Sequence, residues 1–162
     1  MDKGGYTMPL VGRLKSYLDQ NGVDYHVFYH QRVYTAQEVA AVQHVSGKEL
    51  AKVVMAKVNN ELAMMVLPAS CMVDMDKLKM LFPGKMVKLA REEEFQGLFP
   101  DCEIGAMPPF GNLYDLEVYV DNALAEQPNI VFQAGSHVVT IRMAYRAFAN
   151  LVQPKVVDFA AH

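Results

Sequence analysis

Two apolar runs, residues 53–58 (VVMAKV) and 62–67 (LAMMVL), are joined by Asn59-Asn60-Glu61 and nothing else. A connection this short, built on a residue that tolerates left-handed backbone, leaves the two runs one arrangement, an antiparallel hairpin. The hairpin restricts the fold more than any other feature, because the remaining elements must pack on it or beside it.

Helix and strand signals surround it. Leu10, Leu14, Tyr17 and Leu18 recur at helical spacing, and Gly22 stands where a helix-terminating glycine belongs. Residues 25–29 (YHVFY) read as a strand. Thr35 with Glu38 is a capping box, opening a helix that runs to about His44. Ser46 with Glu49 repeats that signature with room for only a turn. Residues 76–82 read as a helix stopped by Pro83-Gly84, 86–89 as a short strand, and 92–98 as a helix. The last opens on three acids, which the helix dipole favours. Strands follow at 116–120, 130–133 and 138–143, with Gly135-Ser136 turning between the last two. A helix over 144–151 ends before Pro154.

The strands pair like hairpins, without strict strand–helix–strand alternation. The expected fold is therefore α+β: a mixed, largely antiparallel sheet that curls into a barrel-like form, with helices around it. The 162 residues suit one domain, with a core over about 9–153 and short tails.

Composition excludes several functions. A net charge of -3 argues against a broad, sequence-blind nucleic-acid binder. A protein that grips only an RNA end through one small basic patch is not excluded. Cys71 and Cys102 lie far apart and outside any Cys-x-x-Cys pair, so reduced thiols are the plain reading and a nucleophile or redox switch the sharper one. No apolar run is long enough to span a membrane, and residues 1–8 lack the apolar stretch of a signal peptide, so a cytoplasmic protein is expected. The histidines are His26, His30, His44, His137 and His162. His26 and His30 share a strand face, but no His-Glu-x-x-His motif or Cys/His cluster supports them, so neither metal nor cofactor is expected. No Gly-x-Ser-x-Gly elbow or phosphate-binding glycine loop occurs. Gly135-Ser136-His137 sets a hydroxyl beside an imidazole, but adjacent strand residues point to opposite faces.

Two features remain. Lys52 directly precedes the first hairpin strand and alternates onto one face with Val54, Ala56 and Val58. A lysine aimed at a sheet interior is costly unless it meets a partner or a cleft. Taken alone, such a residue more often snorkels to solvent from a strand end. Lys48 and Lys57 sit among neighbours that read as solvated. The second feature is the stretch 105–111 (GAMPPFG). Its glycines free the backbone while its prolines stiffen it and delete two amide donors. Such a stretch is either a structural turn or a binding loop.

An ordered set of segments joins these features. It runs Tyr34-Thr35-Ala36-Gln37-Glu38, Leu50-Ala51-Lys52-Val53-Val54, Val66-Leu67-Pro68-Ala69 and Val73-Asp74-Met75-Asp76-Lys77-Leu78. It ends with 105–111, Val118-Tyr119-Val120-Asp121 and Ala134-Gly135-Ser136-His137. The set resembles the YbaK family of prolyl-tRNA-synthetase-associated editing domains, over about residues 10–151. The resemblance implies hydrolysis, in trans, of a wrongly attached small amino acid from tRNA, chiefly tRNA for proline. It implies that Lys52 holds the tRNA 3′ end, that Gly105 in the Gly-x-x-x-Pro loop positions the ester or the attacking water, and that His137 joins them as a catalytic residue. Tyr34, Thr35, Pro108, Pro109, Phe110, Gly111, Gly135 and Ser136 would contact the substrate. The implied partners are the 3′ end of an aminoacyl-tRNA and an aminoacyl-tRNA synthetase, with no DNA and no membrane. An aminoacyl ester is already activated, so positioning and oxyanion stabilisation can replace a covalent nucleophile. Two other readings stand beside this one: a non-catalytic tRNA- or synthetase-binding module of the same fold, and an unrelated small-molecule binder.

Overall fold

Residues 10–32, 35–43 and 45–161 are described in the computed structural model. The chain opens with helix α1 (Leu10–Gln20), strand β1 (Tyr25–Tyr29) and helix α2 (Ala36–Gln43). The capping box of α2 is reciprocal: Glu38 N–H donates to Thr35 Oγ1 at 3.0 Å, and Thr35 N–H to Glu38 Oε1 at 2.9 Å. The hairpin follows as β2 (Ala51–Val58) and β3 (Glu61–Pro68), turning on Asn59 at φ 55°. Next come β4 (Met72–Val73), α3 (Met75–Met80), β5 (Val87–Leu89) and α4 (Glu92–Phe95), which tightens into a 3-10 turn at Gln96–Leu98. After the irregular stretch and a second 3-10 turn (Gly111–Tyr114) come β6 (Glu117–Asp121), α5 (Asn122–Ala125), β7 (Asn129–Gln133) and β8 (Val139–Ala144). Helix α6 (Tyr145–Val152), β9 (Lys155–Val157) and β10 (Ala160–Ala161) complete the order.

The strands form a mixed α+β arrangement. A five-stranded sheet runs β5-β2-β3-β6-β9, a three-stranded one β1-β8-β7, and a short pair β10-β4. Pairings of β2 with β3 and β5 are antiparallel, while β3–β6 and β6–β9 are parallel. The sheet is not closed. The expected barrel-like curl is instead two larger open sheets, bridged where Leu50 meets Val131 in parallel.

Why β3 is apolar at nearly every position now follows. Met64 and Val66 face the main core with Phe110, Phe132 and Phe148, while Met65 and Leu67 face a second core with Leu78 and Phe159. A strand covered on both faces loses the polar alternation of a half-exposed one. The carboxylate of buried Asp121 organises the end of the chain. It caps α5 through Ala123 N–H and accepts Phe159 and Ala160 N–H at 3.0 and 2.9 Å. No helix among the described residues is long and apolar enough to cross a membrane.

Candidate active site

Strand β2 begins at Ala51, so Lys52 lies inside the ladder, opposite Leu67. Its side chain leaves on the face of the second core, near Cys71. Among the described residues no carboxylate forms an ion pair with it. Burial draws its ammonium below the ordinary lysine value, and nearby Cys71 opposes this only in part. Lys57 departs from the solvated expectation. It is half-buried, and its Nζ meets Glu94 Oε2 at 2.6 Å.

The 105–111 loop is clamped from both sides. Gly105 has φ 84°, and a Cβ there would stand 3.6 Å from His137 Cε1, so the position suits glycine. Gly135 N–H donates to Ala106 O, and Glu103 N–H donates to Gly135 O, each at 2.8 Å. His137 Nε2 donates to Ile104 O at 2.8 Å. The Glu103 carboxylate accepts from Arg32 at 2.7 Å and from His137 N–H at 3.4 Å. Burial pushes the Glu103 carboxyl up, but the donors around it prevail and hold it below the usual value. At the loop's far end Gly111 is packed tightly: an added Cβ would come within 2.6 Å of Val118 Cγ2 and 2.9 Å of Leu116 O.

Helix α1 holds the same segment from behind. Arg13 pairs with Asp101 at 3.1 Å and lies over the Tyr114 ring. Tyr114 Oη donates to Asp101 at 2.9 Å and sits 3.5 Å from Cys102 Sγ. Burial pushes the Cys102 thiol up to about 12 and also raises the Tyr114 hydroxyl. Cys102 is thus held as a thiol, the poorer nucleophile. Asn112 reaches Tyr17 Oη on α1 at 2.9 Å.

A cavity of about 140 Å³ opens where these parts meet. Lys52 and Gly105 line it, with Ala51 and Val53 beside them. Val39, Leu50 and Met107 supply apolar wall, and Gln133 at the end of β7 is the other polar side chain among the described lining residues. Of the residues expected at the site, Lys52 and Gly105 are brought together here. His137 is buried behind Gly105 and braces the loop from outside the lining. Gly135 and Ser136 belong to the same brace, with Ser136 Oγ accepting Val138 N–H at 3.2 Å. Pro108, Pro109 and Gly111 are buried, and Phe110 is a core residue stacked on Phe132 and Phe148. Thr35 serves as the α2 cap, and Tyr34 lies outside the described residues. Val39, Met107 and Gln133 carry no sequence motif; only the fold brings them to Lys52. Among the described residues no three His, Cys, Asp or Glu side chains converge as metal ligands would.

Residues 30–151 match the aminoacyl-tRNA editing domain family. The chain belongs to that family. A proline--tRNA ligase of Bacillus mycoides (strain KBAB4) is 29% identical over 93 residues, covering 57% of this chain and 16% of the ligase. The chain thus spans about a sixth of the length of the curated relatives it matches. The crystal structure of a proposed trans-editing enzyme for prolyl tRNA synthetase superposes with a TM-score of 0.80 at 20% identity, covering 97% of this chain and 100% of that one. A hypothetical protein of solved structure gives a TM-score of 0.81 at 22% identity, over 92% and 99% of the two chains. The editing domain's likeness to these structures establishes a shared fold.

Proposed function

We propose that this editing domain hydrolyses the ester of a mischarged tRNA in trans, chiefly tRNA for proline carrying a small non-cognate amino acid. One observation carries the reading: a partly buried lysine with no ion pair among the described residues and a positive-φ glycine line the same small cavity. A buried charge left uncompensated by the fold is costly, and an anionic ligand would supply the compensation. The phosphate next to the terminal adenosine has that charge, and a compact ammonium suits it. The apolar wall of Val39, Leu50 and Met107 then receives the amino-acid side chain, and a cavity of about 140 Å³ favours a small one.

In this reading Lys52 binds and orients the 3′ end, without acting as nucleophile or proton carrier. The Gly105 backbone positions the ester or the attacking water, since a glycine lets the main chain approach closely. His137 is a positioning residue, fixing that backbone through Ile104 O. Positioning and oxyanion stabilisation suffice for an activated ester. Each methylene separates substrates by only about 1–3 kcal/mol, which explains why a synthetase benefits from a second sieve. A cytoplasmic site of action and contact with a synthetase follow from this role.

The test is a panel of mischarged tRNAs incubated with the protein. Faster loss of one amino acid than the spontaneous rate, abolished in Lys52→Ala, supports the reading. Uniformly spontaneous rates defeat it, and tRNA binding without hydrolysis would put the non-catalytic module in its place.

A further inference from the structure

We infer that Gln133 is the substrate's α-ammonium receptor, and that His137 sets the orientation of its amide. The inference rests on the deacylase reading above. It begins at Ile104 O, a carbonyl that can only accept. His137 Nε2, 2.8 Å away, must therefore carry a proton. In the neutral ring Nδ1 is then an acceptor. It lies 3.4 Å from Gln133 Nε2, an amide nitrogen that can only donate. The pair fixes which way the amide points. Its nitrogen faces the imidazole, and its oxygen is left for the cavity that Gln133 lines.

The rest of the wall gives that oxygen a specific use. Lys52 contributes a cation, Gly105 no side chain, and the other lining residues apolar groups. Among the described residues, Gln133 is the one lining side chain with a nitrogen or oxygen hydrogen-bond acceptor. An aminoacyl ester brings an α-ammonium into the same small space as Lys52, and the two cations repel. A neutral amide oxygen can receive the ammonium without quenching the lysine, whereas a carboxylate would pair with Lys52 and close the site. Lys52 thus sorts the phosphate end of the ligand, and Gln133 its amino end.

The experiment compares alanyl-tRNA for proline with its lactyl counterpart, in which a hydroxyl replaces the α-ammonium. A charge-assisted hydrogen bond exceeds a neutral one enough for wild type to favour the alanyl ester by about tenfold. Gln133→Met keeps the length and removes the acceptor. It should lose that preference, with KM raised about tenfold more for the alanyl ester than for the lactyl one, which gives up only the weaker neutral bond. Equal losses on both esters, or no change on either, overturn the inference. The hydrolysis-resistant 3′-amide analogues, alanylamino- and lactylamino-adenosine, are titrated in parallel with wild-type protein. A retained preference for the alanyl analogue with no ester cleavage would sink the deacylase reading alone. Equal affinity for the two analogues would sink the Gln133 assignment even in an active enzyme.

Discussion

Lys52 and Lys57 stand on the same strand, five residues apart and on opposite faces, and the molecule treats them differently. Lys57 meets Glu94 at 2.6 Å beside an open groove of about 540 Å³. Lys52 is among the residues lining a cavity of about 140 Å³ and has no ion pair among the described residues. The larger depression therefore lies beside the neutralised charge, and the smaller one includes the lysine that the proposed function pairs with a ligand. In the proposed reading, a desolvated cation unmatched among the described residues is a better guide to the binding site than cavity size.

The sharpest way to break this comparison is to truncate both lysines. Lys52→Ala should lower kcat/KM for ester hydrolysis by about 10²-fold, as expected when a group that orients the reacting bond is removed. Thermal unfolding of that variant should show no loss of stability, because a desolvated charge has been removed with no partner stranded. Lys57→Ala should do the reverse: activity within about threefold of wild type by the additivity of distant sites, and a lower unfolding midpoint because Glu94 loses its counter-ion. If both variants lost activity alike, the distinction between the two ends of β2 would fail.

A second test uses the charge itself. Burial lowers the pKa of Lys52 from 10.5, so its protonated form is disfavoured by the fold, and its charge is lost at a lower pH than in the unfolded chain. The folded state accordingly gains stability from this group as pH rises from its lowered value to 10.5. Ligand binding moves the opposite way. Affinity for uncharged tRNA, measured by fluorescence anisotropy, should decline on the alkaline side before an ordinary lysine would titrate. Lys52→Arg, whose guanidinium stays protonated, should flatten that limb. An unchanged alkaline limb in the arginine variant would assign it to another group.

These two lysines also show what a sequence can reveal. The hairpin, α1, the α2 capping box and the last two strands of the three-stranded sheet were legible, because each is specified within a short window of spacing or turn chemistry. Strands β4, β9 and β10 were not. Each is two or three residues long and exists through a distant partner: β9 through β6, and β10 through β4 and the Asp121 carboxylate. The start of α3 was placed late because Asp74, which caps it through Asp76 and Lys77 N–H, reads as one acid among several. At the site, Lys52 and Gly105 were legible as anomalies in their own segments. Gln133 was not, since a glutamine ending a strand is unremarkable until the fold sets it in the same cavity wall as Lys52. Lys57 was misjudged for a related reason. Glu94 comes from α4, and only the fold brings that helix under β2.

The smallest expected effect asks how much Lys57 does for Glu94. The Glu94 carboxyl is lowered from 4.5 to about 2, first by Arg91 N–H at 2.8 Å and next by Lys57. A carboxyl held down by the fold contributes stability that is present above 4.5 and lost as pH falls through about 2. Because the backbone donor is the larger cause, Lys57→Met should leave Glu94 titrating below 4.5, with the low-pH edge of its window moved only part of the way up. Side-chain carboxyl shifts followed by NMR across that range would read this directly. A return to 4.5 in the variant would make Lys57 the sole holder of Glu94, and would widen the contrast with Lys52 from a difference in partners to a difference in dependence.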